Sequence, residues 1–199
     1  SLMVYGAAAA EAARYGRARP ELGLGLHVDL RSWRVDKRPW SRVRSERKLK
    51  AAVVKELRGQ LEEFQRLIAR DPSHLDSHHH RHRIEPLPSI FSELAQELEI
   101  PLRHFTPAIR FCGDFYGQDG EGRPKPEAIL PQALVALLGR LPSGVTELGC
   151  HPGYTEGLKA WYRDERVQEI RSLCDARVRR AVERFGITLI SFREIAQLR

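Results

Sequence analysis

Residues 74–82 read His-Leu-Asp-Ser-His-His-His-Arg-His, which places five of the chain's eight histidines and one aspartate within nine residues. Imidazoles and carboxylates are the donors that hold zinc and similar divalent ions. The stretch is internal, so it is not a terminal tag. In an extended segment alternate side chains share a face. The spacing therefore predicts His78, His80 and His82 on one side together with Asp76, and His79 on the other.

Three further segments carry titratable or binding groups. His27 lies in "GLHVDL", an apolar run that reads as a strand, with Asp29 two residues on. Catalytic metal sites draw ligands from separate strands, so His27 is a candidate partner for the 78–82 group; a core imidazole is the bland alternative. His151 lies in "ELGCHPGY". Pro152-Gly153 turns the chain after a strand, which leaves an imidazole able to exchange protons near neutral pH. Tyr154 follows as a packing or hydrogen-bonding group, and Arg103 in "PLRHF" suits substrate oxygens or a nearby acid. There is no G-x-S-x-G, no P-loop and no G-x-G-x-x-G opening a helix.

Strands and helices must position these groups. Strands are expected at 2–5, 22–30, 101–105, 145–151 and 187–190, with 78–82 at a strand end. A helix follows the first strand and must end by Pro20. A polar loop with Trp33, Pro39 and Trp40 comes after the second strand. Leu49, Val53, Leu57, Leu61, Phe64 and Ile68 recur in steps of four and three, one face of a long helix. Leu87 to Leu98, Ile129 to Leu141 and Val167 to Phe185 give three more helical patterns. Residues 112–127 form a long loop with four glycines and two prolines. Ser191 and Glu194 form a capping box for a short last helix. Such alternation predicts an α/β fold with a mostly parallel sheet, open or closed into a barrel, whose active site lies at the C-terminal strand ends. No internal repeat or linker divides residues 1–199, so one domain is expected.

Composition narrows the class. The chain has 199 residues, 42% hydrophobic and 30% charged, as in ordinary globular domains. No apolar run has the length of a membrane span, and no basic start precedes an apolar stretch. Three widely spaced cysteines, Cys112, Cys150 and Cys174, suit a reduced, cytoplasmic protein. The net charge of +7 raises nucleic acid. The arginines, however, alternate with glutamates along helices and lack interleaved aromatic residues, so a solvated basic surface is expected instead.

Taken in order, "GLHVDL", "HLDSHHHRH" and "ELGCHPGY" resemble the YdjC-like carbohydrate deacetylase family, as does "GDFYGQDGEGRPKPEAI". The likeness covers essentially the whole chain. It implies an incomplete, TIM-like β/α barrel that removes acetyl groups from N-acetylated sugars or oligosaccharides. It implies a divalent metal, zinc or magnesium, held by His27 and His78 with one aspartate. His151 would be the general acid, and Asp76 would orient a histidine ligand. His80 and His82 would line the site, with Arg103 and Tyr154 as substrate contacts. The family's opening strand, ending in an Asn-Ala-Asp-Asp-Phe-Gly type motif, has no counterpart here. A first strand and helix of about 30 residues would be missing. The expectations are then weak metal binding, impaired hydrolysis and an exposed sheet edge open to homodimer formation. The rival expectation is a non-catalytic, degenerate barrel that binds sugar or metal.

Overall fold

The computed structural model describes residues 1–30, 46–158 and 162–195. The expected loop with Trp33, Pro39 and Trp40 lies outside the described residues. The fold is mixed α/β, with short parallel strand pairs. The chain divides into two compact units, residues 1–106 with 190–199, and residues 107–189.

In the first unit, α1 (Ala9–Arg17) precedes β1 (Leu26–Val28), and α2 (Glu46–Ile68) precedes β2 (Leu75–Ser77). The two strands run parallel, with His27 level with Asp76. Single bridges extend the ladder on both sides, Leu2 beside Leu26 and Leu102 beside Leu75. The strands expected at 2–5 and 101–105 thus exist as one-residue pairings. The amide of Leu2 donates to the Gly25 carbonyl at 2.8 Å, and that of Leu75 to the Pro101 carbonyl at 2.8 Å.

The periodic face of α2 is inward as expected: Val53, Leu57, Leu61, Phe64 and Ile68 are buried. They pack with Leu26, Val28 and Leu75 and with Leu87, Phe91 and Leu94 of α3 (Leu87–Glu97). Gln60, a polar residue on α2 that is also buried, fastens the end of β1. Its Oε1 accepts from the Asp29 amide at 3.0 Å, and its Nε2 donates to the Asp29 carbonyl at 2.9 Å. The side-chain amide thus stands in for a neighbouring strand, because buried backbone groups require partners.

In the second unit, β3 (Ile109–Cys112) pairs in parallel with β4 (Val145–Leu148). β3 overlaps a segment expected to begin a loop. Phe115, Ile129, Leu134, Leu137 and Leu138 pack against Val178 and Ala181. They bring α4 (Pro131–Leu138) against α6 (Ala176–Arg184). The single helix expected from Val167 to Phe185 is two: α5 (Asp164–Leu173) and α6. The break falls at Asp175, whose carboxylate accepts from the Arg177 amide at 2.7 Å and caps the new helix. Gly186, at φ 63°, ends α6, with the Ile187 amide donating back to the Val182 carbonyl. Residues 187–190 carry no strand pairing, contrary to expectation. The capping pair is half formed: the Glu194 carboxylate accepts from the Ser191 amide ahead of α7 (Phe192–Ile195). No helix among the described residues is long and apolar enough to cross a membrane.

Gly25 shows how tightly β1 is seated. A Cβ built there would overlap the ring of His74, which is itself buried and stacked on Phe192 at 3.8 Å. Gly25→Ala is expected to lower the unfolding free energy by about 1–3 kcal/mol, the cost of overpacking. Urea titration of both proteins measures it; an unchanged midpoint would mean the strand shifts freely.

Candidate functional site

Asp76 is the buried centre of the first unit's strand ends, with 1% of its side chain exposed. Strand pairing sets His27 beside it, and the His27 Nδ1 lies 2.9 Å from Asp76 Oδ2. The Arg103 guanidinium, from the segment next to β2, forms an ion pair with the same carboxylate. Burial opposes ionisation of Asp76. The His27 hydrogen bond and the charges of His27 and Arg103 outweigh it and hold the carboxyl well below the usual range. His27 Nδ1 faces the carboxylate, so a neutral ring with its proton on Nδ1 would keep its lone pair on Nε2, the arrangement that suits a metal ligand. Asp76 Oδ1 is buried with no hydrogen-bond donor among the described residues.

The 78–82 segment is not an extended strand. β2 stops at Ser77, and His78–Arg83 forms a tight 3-10 turn in which His79 and His80 are left-handed, at φ 55° and 51°. Histidine is among the residues that tolerate this region, though it is strained. The turn destroys the alternation on which a single three-histidine face depended. His78 points to His27, with ring centroids 5.7 Å apart, while His79 stacks on His78 at 3.9 Å. His80 swings to His104, at 5.1 Å, and lies 6.1 Å from His82. Burial lowers His78 to about 4, with the charges of His79 and His27 adding to it. The ring is therefore neutral at pH 7, as a ligand must be.

One nitrogen each from His80, His82 and His104 lies within 4.8 Å of the others, a spacing compatible with a divalent ion. His82, however, is fully buried and internally bonded. Its Nε2 donates to the Arg103 carbonyl at 3.1 Å, which leaves Nδ1 to accept from the Ser77 hydroxyl at 2.7 Å. Ser77 Oγ in turn accepts the His82 amide at 2.9 Å. His82 therefore braces the turn and the Arg103 segment, with both ring nitrogens already engaged.

His151 lies in the second unit, exposed, just beyond β4. Its backbone amide donates to the Glu169 carboxylate, and its carbonyl accepts from Arg166 Nη1 at 3.3 Å. Glu169 is fully buried on α5 and also accepts from the Tyr162 hydroxyl. Burial raises its carboxyl above the usual range, while the Tyr162 and His151 hydrogen bonds oppose the shift. Tyr154, 83% exposed, stands in solvent. Sequence reasoning missed Glu169, Tyr162 and Gln60. A glutamate inside the charged repeat of α5 carries no local sign that it is buried.

Parallel strand ends bearing the buried Asp76 carboxylate beside the His27 and His78 imidazoles mark the candidate site of this α/β chain. The chain belongs to the YdjC-like protein family, whose model matches residues 1–184. A carbohydrate deacetylase of Geobacillus stearothermophilus is 29% identical over 221 residues, covering 100% of this chain and 86% of the relative. A chitooligosaccharide deacetylase of Klebsiella pneumoniae (strain 342) is 28% identical, covering 97% and 86%. Among solved structures, one named as a cellobiose-phosphate cleavage protein of Enterococcus faecalis V583 superposes with a TM-score of 0.73. It covers 97% of this chain and 85% of its own; at 22% identity the likeness shows the fold alone.

Buried neutral histidines make stability pH-dependent. Burial lowers His74 to about 3 and His82 to about 4 from 6.5. The unfolded chain thus binds more protons than the folded one between those values. The stabilisation is complete above about 6.5 and is lost as pH falls toward 4. Urea midpoints measured from pH 8 to pH 4 should fall most steeply between 6.5 and 4, and His82→Asn should flatten that slope; a midpoint that rises on acidification would contradict it.

Proposed function

We propose that the chain is a metal-dependent hydrolase that removes the acetyl group from N-acetylated sugars or oligosaccharides. The carrying observation is the Asp76–His27 pair, which leaves His27 Nε2 as a free donor beside His78. Imidazole donors fit zinc or a similar divalent ion better than oxygen-seeking magnesium, and the ion's Lewis acidity would polarise the acetamide carbonyl and acidify water. His27 and His78 are the residues that would hold it. Asp76 acts as the positioning carboxylate of His27, and Arg103 keeps Asp76 charged. Hydrolysis adds water oxygen to the acetyl carbon and breaks the C–N bond, releasing acetate. His151 is the group assigned to protonate the leaving amine, its turn held by Glu169. His80 and Tyr154 are the remaining assigned substrate contacts; His82, fully buried with both ring nitrogens engaged, supports the turn instead.

The relatives' names support the sugar substrate. The family match runs through both compact units, which supports one functional domain over residues 1–199. The parallel pairs and the structural likeness support an incomplete, TIM-like β/α barrel. We also assign the chain to the cytoplasm, in keeping with three cysteines that no disulfide joins.

Acetate release from N-acetylglucosamine oligosaccharides is the direct assay. Activity should require added zinc or magnesium, vanish with chelator, and fall about 10²–10⁴-fold in His151→Ala. Sugar binding without acetate release under every metal condition would favour the non-catalytic reading instead.

A further inference from the structure

The second unit contains a braced aromatic stack beside His151. Tyr116 lies on Tyr162 with ring centroids 4.5 Å apart and planes within 6°. Tyr162 is buried and held at its far end. Its hydroxyl accepts from the Gly117 amide at 2.7 Å and donates to buried Glu169. Gly117 itself allows this approach, because a Cβ there would crowd Ile129 and Glu165 at 2.8 and 2.9 Å. Glu169 also receives the His151 amide, so one carboxylate ties the tyrosine stack and the histidine turn together.

His151 flanks the stack and does not cap it. Its ring centroid is 5.4 Å from Tyr116 and 5.8 Å from Tyr162, nearly equidistant, at steep interplanar angles of 63° and 68°. A ring lying over the outer face of Tyr116 would be far more distant from Tyr162 than from Tyr116. Tyr116 is half-buried, with one face against Tyr162.

We propose that the outer face of Tyr116 is a platform for the pyranose ring of an N-acetylated saccharide, setting the sugar's position relative to His151. This rests on the deacetylase reading above. A pyranose presents C–H groups on one face, and an aromatic ring offers a negative π-face to receive them. A braced ring binds at a lower ordering cost than a loose one. That separates Tyr116 from Tyr154, which at 83% exposure would have to be ordered on binding.

Triacetylchitotriose is the probe, titrated into the full chain by calorimetry, with saturation-transfer NMR from aromatic protons to the sugar's ring C–H protons. Tyr116→Phe keeps the π-face and Tyr116→Leu keeps only apolar bulk over Tyr162. The expected result is binding within about twofold of wild type for Phe, and weakening by about tenfold or more with loss of ring-to-sugar transfer for Leu, the scale of one stacked ring. Binding by Tyr116→Leu equal to wild type overturns the platform and leaves the deacetylase reading standing. If wild-type protein binds no saccharide, the substrate reading falls and the platform with it.

Discussion

The buried carboxylate of Asp76 is the constraint on which the first unit's strand ends depend. An ionised carboxylate inside a protein is costly unless paired and hydrogen-bonded. Here the partners come from both neighbouring segments, His27 from one side and Arg103 from the other. Pairing the charge therefore fixes three strand ends at once. The His82 ring extends the same logic, linking Ser77 to the Arg103 carbonyl. Removing any one member leaves a charge or a polar group buried alone, so the network is a unit rather than a set of separate bonds.

Glu169 plays a comparable part in the second unit. It is a buried acid with two donors, one from the backbone of the His151 turn and one from Tyr162. Each acid holds other groups in place, Asp76 the His27 imidazole and Arg103, Glu169 the His151 turn and Tyr162. The chemistry proposed for His27, His78 and His151 needs such support, because side chains a fraction of an ångström out of place lose much of their effect.

Much of this was legible in the sequence, and the limits have physical causes. The long helix α2 announced itself because a one-sided apolar stripe has no other use at that period. The histidine cluster followed from residue type, whereas the level pairing of His27 with Asp76 depends on strand register, which strand alternation does not specify. Alternation failed at Ser77, since two left-handed histidines replaced a strand by a turn, and side chains expected on one face separated into His78 beside His27 and His80 beside His104. The split between α5 and α6 hinged on one capping aspartate, and the buried Gln60 and Glu169 hinged on tertiary partners far along the chain. The motif order in turn carried the resemblance that the family match bears out.

The central claim is that Asp76 fixes the His27 imidazole with its proton on Nδ1 and its lone pair on Nε2. Long-range proton–nitrogen NMR of metal-free protein at alkaline pH reads that tautomer directly, with His27→Gln identifying the signal. A pyrrole-type Nδ1 and a pyridine-type Nε2 for His27 is the predicted spectrum. The reverse tautomer would contradict the account, because His27 would then turn its lone pair toward the carboxylate and offer a metal nothing.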